Sequence, residues 1–279
     1  MTQTSRRTVL AALATAAVSG PLLTGVGASP AYAADDYASN TELYTRLAGR
    51  EGLDFARRYK RHETFDNSLG TVYRYPRTAI MALHGGGIEP GTSELCLGIA
   101  GYHPATFAVT PAGGPVYDYW MFEGLLATGN GTMHVTASHC DDTVALSLAA
   151  GSLNVLSIHG CRADQTSAPA NRPEAVVVGG RNDRFKQLLH SAFGAAGFQT
   201  IDGSTLPDLA GVQTQNIANR TLLGMGGQLE ITTELRESMF GTFTRAGRPG
   251  STNAVFDSFV GAARTAIANL EATAEQIIL

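Results

Sequence analysis

The chain has 279 residues, of which 44% are hydrophobic and 16% charged. This is the composition of an ordinary globular protein, with enough chain for one substantial core. Its 20 basic and 24 acidic residues give a formal net charge of −4, and the sequence contains no basic run. The charge balance therefore disfavours nucleic acid as a partner, because nucleic acids are bound through basic patches or stripes.

Residues 1–33 have the features of an export signal. Ser5-Arg6-Arg7-Thr8 is a twin-arginine pattern, an Ala-rich apolar stretch follows, and Ala31-Tyr32-Ala33 offers a small-x-small cleavage site. We expect residues 1–33 to be a signal peptide and residues 34–279 to be one domain, secreted by the twin-arginine pathway. A membrane anchor is the alternative, but Pro21 interrupts the stretch and no later apolar run is long enough to span a membrane. Loss of the two arginines leaves 18 basic and 24 acidic residues, a net charge of −6.

The first predicted elements are a helix, a strand and a second helix. Residues 41–61 have the apolar spacing of a helix, although two glycines near its middle are expected to break it. Residues 78–83 are continuously apolar, as a strand buried on both faces should be. A Gly-rich loop follows, and then Thr92 or Ser93 can cap a helix that runs to about residue 102.

The rest of the chain continues this alternation. Further predicted strands are 71–75, 107–109, 117–122, 133–137, 154–158, 175–178 and 226–232. Further predicted helices are 143–150, 183–195 and a C-terminal amphipathic helix over 252–278. Strands that alternate with helices within one unit predict an α/β fold, a three-layer sandwich with a largely parallel or mixed central sheet.

Two histidines share one local setting. His84 and His159 each follow an apolar predicted strand and precede a glycine. Ligands of open α/β sheets gather at the carboxyl ends of the strands, so the two imidazoles are expected to meet there. A single histidine at a strand end is more often structural, but the repeated setting favours a shared site.

Glu89 supplies a carboxylate near the first histidine. It follows His84 by five residues, across a triple glycine that is flexible enough to fold the side chain back. Two histidines and one carboxylate are a usual catalytic zinc shell. Glu94 competes for this role, but its place in the first helical turn favours capping or support of the site. His134 and His139 are lesser candidates for a metal ligand or a substrate contact.

Hydrolysis at zinc also needs a base, and Glu230 fits that role. It lies inside an apolar predicted strand, where an unpaired carboxylate is costly and therefore suggests a use. Glu234, close to Arg236, is more typical of half of an ordinary ion pair.

Candidate substrate contacts come just before this strand. Asn216, Asn219 and Arg220 supply two amides and a guanidinium, and His134 is a further candidate. Arg220 can clamp a substrate carboxylate with two hydrogen bonds, or it can form a surface salt bridge.

Three cysteines are an odd number for an exported protein. Cys140 and Cys161 each follow an apolar stretch near the candidate site, whereas Cys96 falls in a predicted buried helix. We expect a Cys140–Cys161 disulfide with Cys96 free. Three buried thiols are the alternative, since cysteine packs well as a small apolar residue.

Together these segments resemble the poly-γ-glutamate hydrolase family, best known from bacteriophages and bacilli. The most specific matching string is Leu83-His84-Gly85-Gly86-Gly87-Ile88-Glu89-Pro90-Gly91-Thr92-Ser93-Glu94. Shorter matching pieces follow in the expected order: 119–124, Met133-His134-Val135-Thr136, Ser157-Ile158-His159-Gly160, Val178-Gly179-Gly180, 216–220 and Gln228-Leu229-Glu230.

The resemblance implies a zinc peptidase with a fold similar to zinc carboxypeptidases. By position, His84, Glu89 and His159 would be zinc ligands and Glu230 the general base. The carboxypeptidase spacing is His-x-x-Glu, whereas four residues separate His84 from Glu89 here, so the relation to that wider group is distant.

The predicted function is therefore that of a secreted zinc hydrolase of γ-glutamyl amide bonds, acting on an anionic polymer or peptide. One alternative is a zinc carboxypeptidase or an N-acyl amino acid amidohydrolase on the same scaffold. A non-catalytic secreted protein that binds acidic ligands is the other.

Overall fold

The computed structural model describes residues 35–62, 65–66, 71–72 and 78–276. Its strands are β1 (Phe55–Lys60), β2 (Phe65–Asp66), β3 (Thr71–Val72), β4 (Thr78–Gly86), β5 (Asp118–Gly124), β6 (Asn154–Cys161), β7 (Val176–Gly180), β8 (Thr200–Asp202) and β9 (Gly227–Thr232). Its α-helices are α1 (Asn40–Arg46), α2 (Thr92–Ala100), α3 (Thr143–Ala150), α4 (Asp183–Ala195), α5 (Thr233–Ser238) and α6 (Ala254–Glu271). Among these residues, no helix combines the length and the apolar character needed to cross a membrane.

Seven of the strands form one mixed sheet in the order β1-β5-β4-β6-β9-β7-β8. The four strands β5, β4, β6 and β9 run parallel to one another. At one edge β1 is antiparallel to β5, and on the other side β7 is antiparallel to β9 and parallel to β8. The central strands β4 and β6 are buried along their whole length, as expected for parallel strands covered on both faces.

Helices cover both faces of this sheet. On one face α2, α4 and α6 form a core that includes Ile80 and Phe259. On the other face α1, α3 and the segment 133–140 form a core that includes Met81 and Trp120. The predicted three-layer α/β sandwich is confirmed, and its sheet is mixed. The wider likeness to zinc carboxypeptidases stays a prediction.

Four of the α-helices begin at residues whose side chains accept hydrogen bonds from the first turn. The N-caps of α1, α3, α4 and α6 are Ser39, Asp142, Asn182 and Asn253, respectively. Such a side chain satisfies backbone N–H groups that lack a partner within the helix. The predicted bounds of α3 and α4 are confirmed.

The prediction of a helix over 41–61 is wrong in its second half. The helix ends at Arg46, and Gly49 and Gly52 follow with φ of 77° and 83°. Glycine adopts this left-handed conformation without steric cost, so the chain turns here and enters β1.

Other predicted strands and caps also differ from the structure. Residues 133–137 are not a strand, because short 3₁₀ turns occupy Asn130–Met133 and Ala137–His139. Of 107–109, Val109 forms an isolated bridge with Tyr102. The α2 helix has Gly91 as its N-cap, not a side chain of residue 92 or 93.

Residues 34–279 group into one compact unit. Its C-terminal helix is shorter than the predicted 252–278, since α6 ends at Glu271 and a 3₁₀ turn follows at Ala274–Gln276. The predicted signal peptide, residues 1–33, lies outside the described residues and stays a prediction. The same holds for residues 73–75 of the predicted strand 71–75.

Candidate metal centre

Three buried side chains converge at the carboxyl ends of two neighbouring parallel strands. His84 lies near the end of β4, His159 lies near the end of β6, and Glu89 follows β4. The Nδ1 atom of His84 is 2.9 Å from Glu89 Oε1 and 3.1 Å from His159 Nδ1. The Nδ1 atom of His159 is 4.0 Å from Glu89 Oε2. The two strand–His–Gly segments therefore meet as the sequence analysis predicts.

The far edge of each imidazole is held by another group. The Nε2 atom of His84 is 2.9 Å from the carbonyl oxygen of Val135, and Nε2 of His159 is 2.8 Å from the hydroxyl of Ser157. A carbonyl only accepts, so Nε2 of His84 carries a proton, and its Nδ1 is the atom that faces Glu89 and His159. Metal-ligating histidines are commonly oriented in this way, through the ring nitrogen that does not touch the metal.

The spacing of the three groups fits a small divalent cation. Ligand atoms of all three residues lie within 4.8 Å of one another. Zinc–ligand bonds of about 2.0–2.1 Å in a tetrahedron place neighbouring ligand atoms about 3.3 Å apart. The separations of 2.9, 3.1 and 4.0 Å bracket this value. Burial lowers the pKa of His84, but the charge and hydrogen bond of Glu89 raise it above the ordinary value, so a proton on Nδ1 bridges this contact in the zinc-free protein. Two imidazoles and a carboxylate are a donor set that zinc prefers, and a divalent cation can take the place of that proton.

The electrostatics of the cluster agree with this donor set. Burial would raise the pKa of Glu89, but the facing histidines, His84 foremost, lower it to about 2. Burial and the neighbouring His84 lower the pKa of His159 to about 3. His159 is thus held neutral and Glu89 ionised, the forms in which both side chains bind metals.

The glycines after His84 return the chain so that Glu89 faces the histidine. The N–H of Glu89 donates to the carbonyl of His84 at 2.8 Å, which closes a tight turn. Gly86 has φ of 66°, and a Cβ there would collide with the carbonyl oxygen of Gly124. The hydroxyl of Ser93 accepts from the N–H of Gly86 at 2.9 Å, so Ser93 supports the loop instead of capping α2.

Glu230 lies beside the cluster. It is the register partner of His159 across the parallel pair β6–β9. Its Oε1 accepts from the Nε2 of Gln228 at 3.0 Å, while its buried Oε2 has no hydrogen-bond partner among the described residues. Burial and the nearby charge of Glu89 raise the pKa of Glu230 well above its ordinary value.

The predicted substrate amides are tied to the protein itself. Asn216 donates to Gln228 Oε1 at 2.8 Å and accepts from the N–H of Ala218. Asn219 donates to two backbone carbonyls and accepts from two backbone N–H groups. The side chain of Arg220 is exposed, and the turn before it packs on the turn Ala137–His139. Substrate roles for these three residues stay predictions.

His134 joins the cluster from the side. Its ring packs on the ring of His84 with the centroids 3.8 Å apart, and its Nε2 is 4.0 Å from Glu89 Oε1. His139 is exposed at the rim. His134 therefore lies close enough to touch a substrate bound at the cluster.

Two buried arginines near the cluster have roles that the sequence analysis missed or misread. Arg248 forms an ion pair with Glu94 (Nε to Oε2, 3.2 Å) and donates to the carbonyl of Gly86 at 2.8 Å. Glu94 thus supports the glycine loop through Arg248. The expected Glu234–Arg236 ion pair is wrong, because the guanidinium of Arg236 donates to backbone carbonyls, that of Pro90 at 2.6 Å among them.

The predicted Cys140–Cys161 disulfide is also wrong. Both residues, and Cys96, are buried free thiols. Cys140 packs in the core with α1 and α3, whereas Cys161 packs in a separate cluster with Val177 and Leu209. The alternative of three packed thiols therefore holds.

Comparison with known proteins gives sequence relatives that cover part of the chain. The SPbeta prophage-derived UPF0714 protein YoqZ of Bacillus subtilis (strain 168) is 37% identical over 184 residues, which are 66% of this chain and 59% of YoqZ. The UPF0714 protein YndL of the same organism is 31% identical over 185 residues, 64% of this chain and 63% of YndL. The matches thus span less than two thirds of either relative.

Solved structures cover more of the fold. The structure of a bacteriophage poly-gamma-glutamate hydrolase aligns with a TM-score of 0.68 and 26% identity, over 85% of this chain and 98% of that one. The apo, zinc-free structure of YndL aligns with a TM-score of 0.66 and 27% identity, with the same coverage. The sequence profile of the poly-gamma-glutamate hydrolase family matches residues 57–262, about three quarters of the chain. The chain therefore belongs to the poly-gamma-glutamate hydrolase family.

Proposed function

We propose that this protein is a secreted, zinc-dependent hydrolase that cuts γ-glutamyl amide bonds, with poly-γ-glutamate as its substrate class. The observation that carries the proposal is the convergence of two histidine Nδ1 atoms and a carboxylate beside the buried Glu230. Family membership supports the substrate class, and the apo, zinc-free form of the related YndL supports the metal.

His84, Glu89 and His159 would hold the zinc, each through the atom described above. Zinc in that position would supply a Lewis acid that polarises the scissile carbonyl and makes the attacking water more acidic. The carbonyl of Val135 and the hydroxyl of Ser157 keep the two imidazoles turned towards the site.

Glu230 moves the proton in this proposal. Its raised pKa brings the carboxyl closer to neutrality, which suits a group that must both accept and return a proton. Oε1 is fixed by Gln228, which is in turn fixed by Asn216, so Oε2 is the atom left for the attacking water. Glu230 would take a proton from that water and later pass it to the leaving amine.

Recognition of the γ-linkage is assigned to Arg220, with Asn216 and Asn219 holding the loop before it. A γ-link leaves a free α-carboxylate beside every scissile amide, whereas an α-link places the carboxylate several bonds away. A guanidinium that reaches this α-carboxylate would favour the γ-isomer, because the bidentate ion pair is lost in the other isomer. The predicted mature chain is net negative, so a polyanion must be bound by such a local positive group.

The test is digestion of γ-linked and α-linked polyglutamate side by side by the purified, zinc-loaded protein, followed by sizing of the products. We expect oligomers from the γ-linked polymer and little product from the α-linked one. Release of single residues would point instead to a carboxypeptidase or amidohydrolase. Binding without any product, together with no bound zinc, would point to a non-catalytic binder and overturn the proposal.

Secretion has a separate test. Replacing Arg6 and Arg7 by lysine should keep the protein inside the producing cell, because the twin-arginine pathway reads that pair. The protein in the medium should begin at Ala34. An unchanged level of secreted protein in the lysine variant would contradict the pathway.

A further inference from the structure

The described chain contains a segment at its N-terminus that the family match does not include. This N-terminal segment (residues 35–46) docks on the domain. Leu43 is fully buried, and the N–H of Thr41 donates to the carboxylate of Asp141 at 2.8 Å. The family match begins only at residue 57. Whatever this segment contributes is therefore additional to the matched part of the chain.

Asp35 is the first residue of the segment and uses both of its carboxylate oxygens. Oδ1 is 2.7 Å from the Nδ1 of His134, and Oδ2 accepts from the N–H of Thr136 at 2.7 Å. Its side chain is 9% exposed. Burial would raise the pKa of Asp35, but the hydrogen bonds from Thr136 and His134 lower it below the ordinary value. The carboxylate is therefore ionised and accepts from both partners.

A carboxylate only accepts hydrogen bonds, so Nδ1 of His134 carries a proton in this contact. The opposite ring atom, Nε2, then points along the other edge, 4.0 Å from Glu89 Oε1. The ring of His134 packs against His84 with the two ring planes 32° apart, and the contact with Asp35 holds its Nδ1 edge. These two contacts together restrain the orientation of the His134 ring.

We propose that Asp35 is a positioning residue, which holds His134 so that its Nε2 edge meets the bound γ-glutamyl substrate beside the metal centre. The inference rests on the proposed function for the identity of the substrate. It assigns a role to a residue that lies outside the family match and that reaches the site only because the N-terminal segment docks.

The experiment compares Asp35→Asn with Asp36→Asn in the zinc-loaded protein. Asp36 is the adjacent aspartate, and its side chain is exposed. An asparagine at 35 has a single acceptor oxygen, which the N–H of Thr136 can occupy, and its amide would then donate to His134 and impose the other tautomer. In Asp35→Asn we expect kcat to fall about tenfold to a hundredfold, the worth of one charge-assisted hydrogen bond, with zinc content unchanged.

Nitrogen-15 NMR of the imidazoles gives a readout that does not depend on turnover. The His134 ring, assigned by its loss in His134→Gln, should show a proton on Nδ1 in the unaltered protein and a changed ring signal in Asp35→Asn. In the His134→Gln background, Asp35→Asn should change kcat by less than twofold, because the group that it positions is gone.

Three results would overturn the inference: no Nδ1 proton on His134 in the unaltered protein, a kcat of Asp35→Asn within twofold of Asp36→Asn, or equal effects of Asp35→Asn with and without His134. These outcomes differ from failure of the proposed function. That failure would show as absent γ-glutamyl hydrolysis by the unaltered protein, whatever its NMR spectrum.

Discussion

The buried carboxylate of Glu230 destabilises the folded, zinc-free protein, and a single substitution can reveal this effect. The group is buried, faces Glu89 and has one hydrogen-bond donor, Gln228. Its pKa is raised, so the ionised form is less stable in the folded protein than in the unfolded chain. We predict that Glu230→Gln, which removes the charge and keeps the shape, stabilises the zinc-free protein while it strongly lowers the activity of the zinc-loaded protein.

The magnitude follows from the contacts of the two oxygens. An uncompensated buried charge costs several kcal/mol, of which the hydrogen bond from Gln228 offsets about 1.5 kcal/mol. In Glu230→Gln, the glutamine NH₂ group takes the place of Oε2, which has no hydrogen-bond partner among the described residues. Leaving this group unpaired costs about 1 kcal/mol of the gain in stability. The net gain is about 1–2 kcal/mol, and a domain of this size converts each kcal/mol into about 2–4 °C, so Tm should rise by about 2–8 °C.

The pH dependence has a defined sign. A carboxyl whose pKa is raised in the folded state destabilises it only above the unfolded value, here 4.5, and the cost grows up to the folded pKa. The gain from Glu230→Gln should therefore be absent near pH 4 and grow as the pH rises from 5 to 7.5. Saturating zinc should reduce this gain in stability, because the cation stabilises the ionised carboxylate of Glu230.

Thermal unfolding by circular dichroism, with EDTA and then with zinc, measures these differences. The matched control is Glu237→Gln, an exposed glutamate on α5 that should leave Tm unchanged. Activity of Glu230→Gln should fall by about 10²–10⁴-fold, the usual worth of a general base. The reasoning is refuted if zinc-free Glu230→Gln melts at or below the unaltered protein at pH 7.5.

Further predictions test the other parts of the site. His84→Ala should lose most of its zinc by elemental analysis while His190→Ala keeps it; near-stoichiometric zinc in His84→Ala would contradict the ligand assignment. Arg220→Lys keeps the charge but not the fork, so it should slow γ-linked polymer digestion with zinc retained, and equal rates would remove Arg220 from recognition. Arg248→Met should destabilise the protein by about 3 kcal/mol in urea unfolding, because it leaves Glu94 buried and unpaired, and a second change, Glu94→Gln, should recover part of the loss. The denatured, unreduced protein should take up three alkyl groups on its cysteines. Uptake of only one group would show that two of the cysteines form a disulfide.

The parts of the site that follow from local pattern could be predicted from the sequence. His84 and His159 end apolar strands, and a strand that is apolar on both faces is typical of the centre of a sheet. Glu89 follows from the glycines that bend the loop, and Glu230 from the cost of a carboxylate in an apolar strand. Each of these inferences needs only the residues within a few positions of the one in question.

The parts that depend on contacts distant in sequence could not be predicted in this way. Arg248 and Glu94 pair across the fold, and Asp35 reaches His134 although the residues around Asp35 carry no periodic pattern. Residues 133–137 alternate in polarity like a strand, yet 134–136 are irregular backbone between two 3₁₀ turns. Met133 and Val135 are buried in the core that they share with α1 and α3 instead of by pairing with a neighbouring strand. Alternating polarity indicates which side chains are buried, and side chains can be buried without belonging to a sheet.

The position of β9 in the sheet has a consequence for the order in which the molecule is completed. β9 is the last strand to be synthesised, yet it lies between β6 and β7. Until it is made, the nascent chain can pair β1, β5, β4 and β6 in one half-sheet and β7 with β8 in another, with nothing to join them. The three proposed ligands belong to the first half, whereas Glu230 arrives with the joining strand. A ribosome-released fragment that stops before residue 227 would therefore hold the ligand set without the base, and would expose the open edges of both halves to aggregation.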